Sequence, residues 1–256
     1  MEVKLSARLH TIVEQIPTGS IIADIGSDHA LLPVFALQQG IAKLAIAGEI
    51  NDGPLRSAQK QIAEAGLEQQ VIARKGDGLS VVSPGEVNVI TIAGMGGATI
   101  ESILERGLPQ LAGVERLILQ PNVFESAVRR WLLRHNWLLI DETILEEDGL
   151  FYEILTAVPA HSINGDLTNN KLYEPIHLGE HAVADKELQL LMGPYLLRKP
   201  TDVLQRKWLE EIAKRERVLA QMDLSPSAEA AQKRKLLGNE TEKIKEVLSC
   251  LRTDKP

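Results

Sequence analysis

A single cysteine, Cys250, occurs among 256 residues. One thiol can form no intrachain disulfide and no cysteine-based zinc site. That usage fits a reducing compartment, and the cytoplasm is the expected location. Aromatic residues are scarce, at 4%, so Leu, Ile, Val and Ala must supply most of the core. No apolar run approaches the roughly 20 residues that span a bilayer, and the first ten residues hold no apolar stretch of signal length. No membrane association is therefore expected. Internal repeats and low-complexity tracts are also missing. So is an excess of positive charge: the net is −7 at pH 7. Its distribution is uneven, however. Residues 1–160 hold 12 Lys+Arg against 20 Asp+Glu, and residues 161–256 hold 16 against 15. The second region carries basic clusters, Lys214-Arg215 with Arg217 and Lys233-Arg234-Lys235, which suit either a solvated helical surface or a nucleic-acid contact.

What is present centres on residues 21–31, Ile-Ile-Ala-Asp-Ile-Gly-Ser-Asp-His-Ala-Leu. The apolar run broken by Asp24 reads as a buried parallel strand that ends in a carboxylate and a turn at Gly26. A helix is expected over residues 30–39. Strand, glycine turn and helix N-terminus together form a cradle for a polar cofactor. Residues 43–49 read as a second strand ending at Glu49. A carboxylate 23 residues after Gly26, at a strand tip, is placed to accept both hydroxyls of a ribose. A third strand, residues 70–75, runs into Gly76-Asp77-Gly78. The Asp77 carboxylate there could accept from an adenine amine, while the glycines permit close backbone approach. The fourth strand, residues 87–93, is followed by a glycine loop, Gly94-Met95-Gly96-Gly97.

Before this core, Leu5, Leu9, Ile12, Val13 and Ile16 mark a helix over residues 4–16. Lys4 and Arg8 share another of its faces, and either could reach a phosphate or a carboxylate. After it come a fifth strand, residues 115–120, and a helix over 124–135. That helix carries Arg129, Arg130 and Arg134, which suit phosphate contacts or plain surface. Two further strands with no room for a helix between them are expected as an antiparallel hairpin. Residues 159–175 read as a linker. Beyond it no strand is expected, only helices, the last two forming an antiparallel, coiled-coil-like pair around a turn at 223–226.

Two competing motifs lose on chemistry. His177-Leu-Gly-Glu180-His181 has zinc-hydrolase spacing, but Pro175 and Gly179 argue against a rigid helix, and no metal site is expected. A nicotinamide enzyme wants G-x-G-x-x-G after the first strand, and here Asp28 stands at the second glycine position. An acidic residue repels a pyrophosphate. S-adenosylmethionine has no phosphate and carries a sulfonium and an ammonium, which Asp24 and Asp28 suit.

Asp24-Ile-Gly-Ser-Asp-His-Ala, Gly48-Glu-Ile-Asn-Asp-Gly-Pro54, Gly76-Asp-Gly78, Ala93-Gly-Met-Gly-Gly97 and Leu119-Gln-Pro-Asn122 follow one another in order and spacing. Together with the opening Leu5-Ser-Ala-Arg8-Leu they resemble the bacterial tRNA (adenine(22)-N(1))-methyltransferase family along the whole chain. The resemblance implies an α/β fold: a class I, Rossmann-like methyltransferase domain with a seven-stranded sheet over residues 1–160, and a helical, coiled-coil-like domain over 161–256 that contacts tRNA. It implies methylation of N1 of an adenine, with S-adenosylmethionine as the methyl donor. Gly26, Asp28 and His29 would hold the donor in the first loop. Glu49 would sit at the ribose with Ile50 beside it, and Asp77 and Gly78 would flank the adenine. Ala93, Gly94 and Met95 would line the methyl's exit. Gln120 and Asn122 are the candidates for holding the target base, with Arg8 orienting substrate or donor. The chain lacks the Asn/Asp-Pro-Pro-aromatic loop of enzymes that methylate the exocyclic amine. A monomer or a dimer is expected. A small-molecule methyltransferase and a non-catalytic RNA-binding scaffold are the rival readings.

Overall fold

The computed structural model describes residues 3–163, 165–179, 182–222 and 228–251, and the side chains of 228–230 are outside that description. The chain divides into two compact units, Met1–Asn169 and Asn170–Pro256.

The first unit opens with helix α1, Ala7–Glu14, capped by the Ser6 hydroxyl, which accepts from the Leu9 N–H. Then strands and helices alternate: β1 Ser20–Ile25, α2 Leu31–Gln38, β2 Ala42–Glu49, α3 Asp52–Ala65, β3 Val71–Lys75, β4 Val89–Gly96, α4 Gly97–Arg106, β5 Arg116–Val123 and α5 Glu125–Arg134. The hairpin β6 Trp137–Glu147 and β7 Leu150–Pro159 closes the series. Sheet order is β3-β2-β1-β4-β5-β7-β6, with β1 to β5 parallel and β7 antiparallel to both neighbours. The order reverses between β1 and β4, and in an open parallel sheet the crevice beyond that switch is where ligands bind. Ile22, Ile90, Ile92, Leu117 and Leu119 are buried at the centre of the sheet, as strands covered on both faces and mostly apolar require.

Two local expectations change in the first unit. The glycine loop after the fourth strand is still strand: β4 runs irregularly to Gly96, with register shifts at Met95 against β5, and α4 starts directly at Gly97. Arg129 is not a phosphate contact. It is fully buried, donating from Nε to Glu142 on β6 at 2.6 Å and from Nη2 to Glu153 on β7. The helical period turns Val128, Arg129 and Leu132 toward the sheet, where an unpaired cation could not stay. Burial alone would make the guanidinium easier to deprotonate, but the charges of Glu142 and Glu153 outweigh it and hold the proton more firmly than in water.

The second unit is not free of strands. After α6, Asn169–Leu172, the segments β8 Ile176–Leu178 and β9 Ala182–Ala184 pair antiparallel. His177 therefore lies on a strand, and Glu180, His181 and the turn at 223–226 lie outside the described residues. Helices α7 Lys186–Met192 and α8 Pro194–Arg198 break at Gly193, as Pro194 requires. The long helices α9 Asp202–Met222 and α10 Ala228–Cys250 run antiparallel: Gln205 bonds the Leu251 carbonyl, and Arg215 pairs with Glu240. Leu204, Trp208, Ile212, Ile244 and Val247 form the buried seam. Leu209, Val218 and Leu236 are exposed; Leu209 sits one residue, or about 100°, round the helix from Trp208.

Candidate active site

The carboxyl ends of β1 and β4 open into a cavity of about 310 Å³. Arg8, Asp24, Gly26, Asp28, Ala93, Gly94, Met95 and Asn122, all singled out from the sequence, line it. Asp24 lies opposite Thr91 in the β1–β4 register. Its Oδ1 accepts from the Thr91 hydroxyl at 2.6 Å and its Oδ2 from the Ser27 hydroxyl at 2.7 Å. Burial raises the Asp24 pKa, the two hydroxyl bonds lower it, and the Glu49 charge raises it further.

The turn after β1 is unusual. Gly26 has φ +72°, and Asp28, His29 and Ala30 follow at +36°, +64° and +54°. Each non-glycine residue in that region costs on the order of 1 kcal/mol or more. The loop is anchored rather than loose. Gly26 and Ser27 N–H groups donate to the Gly48 carbonyl, and the Asp28 N–H donates to Glu49 Oε1 at 2.6 Å. Glu49 thus has one oxygen committed to the loop. Its pKa is raised by burial, opposed by that backbone bond. His29 stands outside the cavity, with Nε2 at 3.5 Å from Asp28 Oδ1 and both side chains more than half exposed. Ile50 is exposed.

Asp77 and Gly78 lie in a separate cleft of about 240 Å³ with Ile103 and Arg106. The Asp77 carboxylate is gripped by Arg106, at 2.6 and 3.3 Å. Gly78, at φ +55°, leaves no room for a side chain: an added Cβ would stand 3.0 Å from Ile103.

Gln120 is fully buried, so it does not itself face the cavity. Its Oε1 accepts from Arg8 Nη1 at 2.6 Å and from the Gly94 N–H at 3.0 Å. Its Nε2 donates to Asn122 Oδ1 at 3.0 Å. This chain of bonds settles which way both amides point. A backbone N–H can only donate, so it demands the Gln120 oxygen; the Gln120 NH2 then demands the Asn122 oxygen. Asn122 is left with its NH2 and one oxygen lone pair toward solvent, and among the described residues that NH2 donates to nothing. The expectation that Gln120 holds a base gives way to one in which it aims Asn122.

Sequence reasoning passed over Tyr152, Thr91, Ser27 and Arg106. The Arg8 guanidinium lies 5.3 Å from the centre of the Tyr152 ring, and the Ala7 N–H is tied to Glu147 Oε1 at 2.6 Å, which fixes the start of α1 over the cavity. Thr91 carried a signal: a hydroxyl inside the most apolar strand needs a buried partner. Tyr152 carried none, because it stands between Phe151 and Glu153 in a strand with no turn or glycine to mark it as lining a cavity. Among the described residues no group of three or more His, Cys, Asp or Glu could hold a metal ion, and no helix is long and apolar enough to cross a membrane.

The arrangement suits a cationic ligand with a ribose. Acidic groups line the pocket, the glycines make room for backbone approach, and one carboxylate stands at the tip of β2. Known proteins agree with that chemistry. Residues 22–246 match the family model for tRNA (adenine(22)-N(1))-methyltransferase. The Bacillus subtilis protein of that name is 44% identical over 248 residues, which is 96% of this chain and 98% of the relative. The crystal structure of the B. subtilis M1A22 tRNA methyltransferase TrmK superposes with a TM-score of 0.86 at 43% identity, covering 96% of this chain and all of the other. A Streptococcus pneumoniae protein solved in complex with S-adenosyl-L-methionine gives a TM-score of 0.78 at 37% identity, with 96% and 100% coverage.

Proposed function

The chain belongs to the tRNA (adenine(22)-N(1))-methyltransferase family, and from that premise we propose how its own residues carry the reaction. The activity is S-adenosylmethionine-dependent methylation of N1 of an adenine in tRNA, adenine 22 by the family's description. When bound, S-adenosylmethionine supplies an electrophilic methyl group on a sulfonium. The donor spans two neighbouring clefts: Gly26 and Asp28 hold it in the larger one at the first turn, Glu49 takes its ribose from the tip of β2, and Asp77 and Gly78 flank its adenine in the smaller one, while His29 and Ile50 stay outside the larger cavity. Asp24 gives the pocket its buried negative charge, and Ala93, Gly94 and Met95 line the side from which the methyl departs.

Asn122 receives the target base. Its free NH2 and its second oxygen lone pair match adenine N7 and the N6 amine. That pairing uses the Hoogsteen edge and leaves N1 open. N1 carries an in-plane lone pair, so no protein base has to deprotonate it first. The protein's tasks are alignment and the exclusion of water. Methyl transfer moves one positive charge from sulfur to base, so Asp24 and Asp28 face a cation before and after the step. Reaching N1 in folded tRNA requires the base to leave its stack.

The observation that carries this assignment of roles is the fixed orientation of Asn122 at the rim of an acid-lined cavity. The helical region 161–256 grips the tRNA by shape and phosphate charge. The enzyme works in the cytoplasm, as a monomer. The test is incubation with unmodified tRNA transcript and isotope-labelled donor, followed by mass mapping. Label on N1 of one adenine is expected, and Asn122→Ala is expected to abolish most of it while donor affinity stays. Label on an exocyclic amine, or an Asn122→Ala enzyme as active as wild type, would overturn the assignment. Sedimentation of the free enzyme checks the monomer.

A further inference from the structure

Phe124 has no part in the roles above. It is 70% exposed in a chain with only nine aromatic residues, whereas Trp131, Trp137, Trp208 and Tyr173 are buried. It also sits at φ +59°, a conformation that favours glycine or asparagine and is costly for a bulky side chain. An aromatic ring that is both strained and wet contributes nothing to the core. Its backbone is nevertheless immobilised. A Cβ on Gly97 would stand 2.0 Å from the Phe124 carbonyl oxygen, so α4 packs directly against this residue.

Beside the ring lies an open cleft of about 340 Å³, lined by Ala98, Glu101, Phe124, Ala127, Arg130 and Arg134. Its floor is apolar. One wall carries two exposed arginines against one glutamate, and Arg134 meets that Glu101 at 2.8 Å. Phe124 follows Asn122 by two residues, one beyond the end of β5 and just before α5. The cleft is distinct from the donor cavity, which Asn122 lines and Phe124 does not.

We infer that this cleft is a second nucleotide subsite: Phe124 stacks on the base that flanks the target adenine, and Arg130 and Arg134 take the adjoining phosphate. The inference rests on tRNA being the substrate. Extracting one base exposes the face of its neighbour, and an aromatic ring can cover that face whatever the base is. Arginines beside the ring add a phosphate contact without sequence preference.

The test uses the full-length enzyme, unmodified tRNA transcript and S-adenosylmethionine. Tryptophan at this position keeps a stacking face, so Phe124→Trp is expected to hold tRNA within about twofold of wild type. Phe124→Ala is expected to weaken tRNA binding on the order of tenfold, with donor affinity by calorimetry unchanged. The Arg130→Gln, Arg134→Gln double variant is expected to flatten the log–log salt dependence of tRNA binding by about one. An active wild type with Phe124→Ala binding tRNA as tightly would overturn the subsite and leave the methylation reading intact. A parallel loss of donor affinity would also overturn it, because the residue would then be structural. A wild type that binds donor but methylates no tRNA would sink the substrate reading instead.

Discussion

Replacing Gln120 with glutamate separates its aiming role from its packing. The change is isosteric, so the buried volume is preserved. Glutamate keeps two acceptor oxygens, and the bonds from Arg8 Nη1 and the Gly94 N–H, now 2.6 and 3.0 Å, both survive. The Arg8 bond, charge-assisted already, becomes an ion pair and offsets the buried charge. What is lost is the single donor, the Nε2 that meets Asn122 Oδ1 at 3.0 Å. Two acceptor oxygens then face each other, and Asn122 relieves the repulsion by turning its amide over. Its oxygen and NH2 exchange places, and the match to adenine N6 and N7 is gone. A bidentate amide–adenine pair discriminates by about 1–3 kcal/mol, so kcat/KM for tRNA should fall by about 5- to 150-fold. Donor affinity and Tm should stay near wild type. Protonating the new carboxyl restores a donor, so the deficit relative to wild type should narrow as pH falls. Steady-state kinetics on tRNA, with Asn122→Ala and the double variant, close a thermodynamic cycle. The double variant should be no worse than Asn122→Ala alone. If the two losses multiply, Gln120 acts independently of Asn122 and the aiming argument is wrong.

Asp24→Asn should weaken donor binding by about tenfold in calorimetry without lowering Tm. Burial raises the native pKa of Asp24, so the folded chain binds this proton more readily than the unfolded one. The charged carboxylate therefore costs stability above its folded pKa, the cost is relieved as pH falls through it, and donor affinity declines over the same window. Removing the cation of the buried triad with Arg129→Met should cost about 3–5 kcal/mol, because Glu142 and Glu153 are left uncompensated; thermal unfolding should show a Tm lowered by roughly 6–20 °C. Gly97→Ala should destabilise by about 1–3 kcal/mol, since its Cβ meets the Phe124 carbonyl, whereas Gly53→Ala in α3 has open space around it and should stabilise by about 0.5–1 kcal/mol in the same assay.

The strands around Asp24, Glu49 and Thr91, and the turn at Gly26, were legible in the sequence because their causes are local. An apolar run makes a buried strand, and a chain that must reverse within one residue leaves its mark in glycine. The acid-lined cavity followed from these, since parallel strands bring their carboxyl ends to one side. The pairings between distant residues were decided only by tertiary structure. Arg8 and Gln120 are 112 positions apart, and no local pattern says that one saturates the other and so leaves Asn122 facing outward. Arg129 reads as surface beside Arg130 until the β6–β7 hairpin sets two glutamates beneath it. The three-residue strands β8 and β9 are too short to show a period. Local geometry is written residue by residue along a chain. Whether a polar group points to water or to a partner depends on which distant element closes over it, and only the folded chain decides that.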